Sequence, residues 1–138
     1  MSDNTKPIKK EPVQGDTVQF SFKYAKTCGS MSYPNWEKGF GQRIHARLKS
    51  VCELTIDQFM SRYQPEWRVH KHEWNRTSRK EGWGEDLPKP LRGETGWQFG
   101  LGKGGGRIHG FIIDSTFYIV WFDREHDLYP MKSKKSKG

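Results

Sequence analysis

Residues 117–122, FYIVWF, are six consecutive apolar side chains. A run of that length bounded by turn residues reads as a central strand buried on both faces. Ser115 and Thr116 form the expected turn before it, and residues 107–114 are the strand on the other side of that turn. Upstream, Trp97, Phe99 and Leu101 alternate as a further strand, and the glycine-rich link GKGGG at 102–106 leads into Arg107.

The rest of the chain supplies the partners this strand needs. Val18, Phe20, Phe22 and Tyr24 alternate strictly, which predicts a half-buried strand. Pro34 suits a first helical position, and Trp36, Phe40, Ile44 and Leu48 then recur every four residues along one face. Thr55 to Gln58 carries a capping-box pattern ahead of Phe59, Met60 and Tyr63, so a second short helix is expected there, ended by Pro65. Residues 67–74, WRVHKHEW, read as another strand. The predicted fold class is α+β: an N-terminal strand, two helices, then an antiparallel meander of three or four strands.

A length of 138 residues indicates one domain, expected over residues 16–130 with a long charged loop at about 75–95. Residues 1–15 have the composition of a disordered basic arm, and 131–138 that of a disordered lysine-rich tail. Of the net charge of +8, the last seven residues hold +4 and the first eleven +1, which leaves +3 for the body. The balance suits a polyanionic partner, above all nucleic acid, and the tail adds affinity without specifying a site. No apolar stretch is long enough to span a bilayer, so no membrane partner and a cytoplasmic location are expected. Cys28 and Cys52 lack both disulfide-framework and metal spacing and read as reduced thiols.

The spacing Gly-x-Gly-x-x-Gly at Gly100, Gly102 and Gly105 lacks the following helix that a dinucleotide site requires, so it reads as a hairpin connection presenting Lys103 and Arg107. His70 and His72 share one face of a strand, but no third ligand is marked, and they read as a surface pair; no metal and no cofactor are expected. In the 75–95 segment, Arg76, Arg79, Lys80 and Arg92 interleave with tryptophan, as suits stacking on unpaired bases beside phosphate contacts, while the acids Glu81, Glu85, Asp86 and Glu94 equally suit an ordinary solvated loop; Lys71 and Lys103 are further candidate nucleic-acid contacts.

Residues 106–129, GRIHGFIIDSTFYIVWFDREHDLY, gather ionisable groups at strand ends: Arg107, His109, Arg124, Glu125, His126 and Tyr129. The pattern Gly-x-Arg, a hairpin turn with Asp, the apolar run, Arg-Glu and a terminal Tyr resembles the C-terminal half of the RelE/ParE-type toxins, especially the RelE and YoeB ribonuclease branches. That resemblance is carried by residues 97–129, and by layout alone over 17–64. It implies a metal-free endoribonuclease toxin acting on messenger RNA, on the ribosome in some members, and neutralised by a protein antitoxin. On this resemblance Arg107 and Arg124 hold the phosphate, His126 and Tyr129 act as acid or orienting group, and Glu125, His109 or Lys103 is the base. Histidine suits either proton-transfer role near neutral pH, which favours His126 and His109 over the carboxylates. The alternative is a non-catalytic nucleic-acid- or protein-binding module of the same fold, either ParE-like or an accessory inhibitor from a phage or mobile element.

Overall fold

The computed structural model describes residues 16–32, 39–61, 67–102, 105–125 and 127–129. The expected basic arm, the lysine-rich tail, Trp36, Tyr63, Pro65, Lys103 and His126 lie outside the described residues. Five strands form one mixed sheet in the order β1 (Gln19–Ser21), β5 (Thr116–Asp123), β4 (Arg107–Ile113), β3 (Trp97–Gly100), β2 (His70–Lys71). The last four pair antiparallel with their sequence neighbours, while β1 runs parallel to β5. The fold is therefore α+β. No described helix is long and apolar enough to cross a membrane.

Helix α1 (Phe40–Val51) and helix α2 (Ile56–Met60) cover one face of the sheet. Thr55 caps α2 in both directions, accepting from Gln58 N at 3.1 Å while Gln58 Oε1 accepts from Thr55 N at 3.0 Å. Val18, Ile44, Val51, Phe59, Phe99, Ile108, Phe117 and Ile119 meet in the core between helices and sheet. Phe59 stands edge-on to both Phe99 and Phe117, at 5.5 and 5.8 Å. Each such fully buried ring contributes about 1.5–3 kcal/mol by leaving water.

Two strands are shorter than the sequence pattern suggests. β1 ends at Ser21 because the chain turns there, with Ala25 N donating to Phe22 O. Phe22 is left exposed and Tyr24 passes to the other face, against Phe111 and Tyr118. β2 is confined to His70–Lys71 because Arg68 adopts φ 53°, which breaks the extended run, and residues 74–76 turn into a 3-10 helix. The β4–β5 turn is Asp114-Ser115, one residue earlier than expected, since Ile113 pairs with Thr116. Asp114, at φ 57°, takes the left-handed conformation such a short connection favours.

The charged 75–95 segment has no strand or α-helix, but it is not a solvated loop. Single 3-10 turns at Trp74–Arg76, Gly84–Asp86 and Lys89–Leu91 strap it across the second face. Trp83 and Leu87 are buried there with Met31, Phe111, Val120, Trp121 and Leu128. Asp86 pins the strap, accepting from Trp121 Nε1 at 2.8 Å and pairing with Arg79 at 3.2 Å.

β5 serves both faces through a bulge. Pairing runs Gly110 to Ile119 and then His109 to Trp121, so Val120 is the extra residue. Strict alternation from Phe117 would send Trp121 and Asp123 to the helix face. The bulge turns both to the second face, and Lys26 N donates to the Val120 carbonyl at 2.8 Å. Gly110 lies opposite, where a methyl group would come within 2.1 Å of the Tyr118 carbonyl oxygen.

Candidate active site

The bulge brings a carboxylate to an imidazole. Asp123 Oδ2 lies 3.0 Å from His109 Nε2, and His109 Nδ1 lies 2.9 Å from His72 Nε2. The carboxylate can only accept from His109, so His109 Nδ1 is left to accept from His72 Nε2–H. This fixes both tautomers and leaves His72 Nδ1 as a lone-pair nitrogen with no hydrogen-bond partner. That nitrogen lies against Gly96, where a methyl group would stand 2.1 Å from it; only glycine admits the ring.

All three groups are buried, at 8% exposure for His72, 0% for His109 and 1% for Asp123. Burial, then repulsion from His109 and His70, pushes the His72 pKa down to about 2. Burial also lowers that of His109, outweighing the carboxylate beside it. Burial alone would raise Asp123, but the His109 hydrogen bond and the amides of Leu128 and Asp127 bring it below the usual carboxylate range. Those amides donate to Asp123 Oδ2 and Oδ1 at 3.0 and 2.6 Å. The chain at rest is thus two neutral imidazoles on one carboxylate, which also clamps the turn leading to Tyr129.

Above this chain opens a cleft of about 1000 Å³. A cross-strand row, His70, Gln98 and His109, runs along its floor from β2 to β4. His70 Nδ1 lies 2.8 Å from the Lys71 carbonyl, so this nitrogen donates and the neutral ring carries its lone pair on Nε2. Tyr129 packs edge-on to His70 at 5.8 Å, and its hydroxyl accepts from Glu73 N at 2.9 Å. Burial is the main cause that raises its pKa, so the phenol keeps its proton. Arg68, Lys71, Arg76 and Arg107 line the cleft against the acids Glu73 and Asp123. Burial and the nearby Arg68 guanidinium lower the Arg107 pKa, the mark of two cations that an anion between them would relieve.

Of the residues singled out in the sequence, the cleft gathers Arg107, His109, Tyr129, Arg76 and Lys71. His109 is on its floor but sealed, with both nitrogens engaged, so it cannot be a base that touches substrate. Arg124 does not line the cleft and lies over the Phe40 ring at 5.1 Å; Glu125 is exposed on the turn after β5 and is not part of it either. Arg79 stacks over Trp121 at 4.7 Å, Lys80 donates to Thr77 O at 3.4 Å and Arg92 to Leu87 O at 2.7 Å, so these three hold the strap. His72, read as half of a surface pair, is buried beneath its neighbour because Gly96 leaves room for its ring. Arg68, His70, His72 and Asp123 are site residues the sequence did not single out as such. The period-2 pair His70 and His72 was the available signal. No family model, curated protein or solved structure matches the chain.

Proposed function

We propose that the chain is an endoribonuclease that cuts messenger RNA in this cleft by acid–base transesterification. In this reading it is a RelE-like toxin of the cytoplasm, restrained by a protein antitoxin that covers the cleft. One observation carries it: His70, Tyr129 and the mutually repelling guanidiniums of Arg68 and Arg107 meet in one open cleft. The order of elements, a strand, two helices and four antiparallel strands, also supports it.

In this chemistry the ribose 2′-hydroxyl attacks the adjacent phosphorus and the bond to the 5′-oxygen breaks, leaving a 2′,3′-cyclic phosphate and a 5′-hydroxyl. His70 Nε2 takes the proton from the 2′-hydroxyl, and Tyr129 gives its proton to the departing 5′-oxygen. Arg68 and Arg107 hold the phosphate and stabilise charge developing on its oxygens, a task planar forks perform better than lysine. His72, His109 and Asp123 are positioning residues that hold the floor and the Tyr129 turn.

A non-catalytic binding module is favoured by the sealing of that chain, whose hydrogen bonds are spent within the protein. Incubation of unstructured RNA with the wild-type chain and with H70A, R107A and Y129F separates the two. Ends bearing 2′,3′-cyclic phosphate are expected, slowed about a hundredfold or more in H70A and R107A. RNA bound but left intact by the wild-type chain would establish the binding module instead.

A further inference from the structure

The glycine-rich turn between β3 and β4 plays no part in that chemistry, yet guanidiniums line it. A methyl group added at Gly100 would meet Arg107 Nη1 at 3.2 Å, one at Gly102 would meet Arg47 Nη2 at 3.7 Å, and one at Gly105 would meet Arg43 Nη1 at 3.4 Å. Arg107 belongs to the cleft. Arg43 and Arg47 stand one turn apart on α1, a helix without a single Asp or Glu that also carries His45 and Lys49. Like charges at that spacing cost a helix stability. Arg47 lies over the Trp67 ring at 4.5 Å, and Trp67 is followed directly by Arg68 in the cleft. The cations therefore follow one another from the cleft past Gly100, Gly102 and Gly105 to the exposed surface of α1.

We propose that this row is the track by which single-stranded RNA leaves the cleft, with successive phosphates on Arg107, Arg47 and Arg43. The inference rests on the reading of the cleft as an RNA site. Attack by a 2′-hydroxyl requires an unpaired, flexible backbone, so the strand entering the track is single. At Gly100, Gly102 and Gly105 the absence of a side chain lets that backbone lie close against the polypeptide. The chain then binds RNA over several nucleotides, and the affinity of the outer ones comes from phosphate contacts that tolerate any sequence.

The test measures binding of uncleavable 2′-O-methyl oligoribonucleotides of about 4 and about 16 nucleotides, the range of common single-strand site sizes, to the full chain by fluorescence anisotropy. R43E is expected to weaken the longer probe about tenfold, to reduce the slope of log affinity on log salt by about 0.7 per lost phosphate contact, and to leave the shorter probe unchanged. R43K should restore the longer probe. Equal loss on both probes, or no loss on either, overturns the track. R107A reports on the cleft separately: it should weaken both probes, and unchanged binding of both would overturn the cleft reading whatever R43E does.

Discussion

On the helix-covered face, Val18, Ile44, Phe59, Phe99, Ile108 and Phe117 meet because each lies on the apolar side of a regular helix or strand. On the opposite face, Trp83, Trp121 and Leu128 meet because a bulge, three 3-10 turns and a buried carboxylate bring them there. The first arrangement is redundant, since many similar contacts share the load. The second depends on single residues, and it carries the cleft. The proposed chemistry sits on the face where local periodicity is broken, because a broken ladder can turn a polar side chain into a packed interior.

The largest test of that contrast is D123A, which removes the carboxylate that the bulge delivers to His109. Without this carboxylate the His109 Nε2–H and the amides of Asp127 and Leu128 are left without their acceptor, those of His109 and Leu128 in the buried interior. A loss of more than about 4 kcal/mol is expected in chemical denaturation, beyond the usual range for a single change. Native stability in this variant would show that the second face does not depend on this carboxylate.

Next in size are matched truncations on the two faces. Phe59 and Trp83 are both 0% exposed, so F59A and W83A should each cost about 3–5 kcal/mol. They should part in function. Under conditions where both variants remain folded, F59A keeps the cleft's affinity for RNA, whereas W83A loses it, because Trp83 packs on His72 and Trp121 at 5.6 and 4.8 Å. Equal binding by the two would mean that the strap does not shape the cleft.

The helix face was legible in the sequence because its signals are local: the four-residue recurrence of Phe40, Ile44 and Leu48, the Thr55 capping box and the 117–122 run each fix an element from neighbouring residues alone. The second face was not. That Asp123 would meet His109 depends on one extra residue in β5, and that His72 would be buried depends on Gly96, far along the chain. Likewise Arg79, Lys80 and Arg92 looked like nucleic-acid contacts because sequence records their charge but not the partners that take them up, such as Asp86 for Arg79. Arg107 and Tyr129 were visible as strand-end groups, whereas Arg68 was hidden by a backbone conformation that residue type does not announce.

Acid should weaken the second face before the first. His72, with its pKa pushed down to about 2, and His109, also lowered, stay neutral in the folded chain but take up protons when unfolded below about pH 6.5. The unfolded state then binds more protons, so stability falls as pH drops, by about 1.4 kcal/mol per pH unit for His72, with His109 acting in the same direction. Asp123 acts in the same direction at lower pH: its lowered pKa gives stability that is complete above the unfolded value near 4 and fades as pH falls through the folded value. Urea unfolding at stepped pH should show this decline, and H72F should flatten it. An unchanged slope in H72F would mean that His72 is charged in the folded state.

The smallest expected effect sharpens the comparison through exposed ion pairs. Lys49–Glu53, from the last turn of α1 to the residues after it, and Arg76–Glu73 at the cleft rim are both well exposed, with side chains at 70% and 68%, and 73% and 63%. Solvent screening limits either pair to about 0–1 kcal/mol, so E53Q and E73Q should leave the unfolding midpoint nearly unmoved. Only E73Q should alter function, since it removes an acid from the cleft and releases Arg76 toward phosphate. A modest gain in RNA affinity, of about fivefold or less on the same energy scale, is expected from E73Q and none from E53Q. If E73Q bound RNA more weakly, the Glu73 carboxylate would itself be a contact to the RNA, and the rim would be reading hydrogen-bond donors as well as phosphate charge.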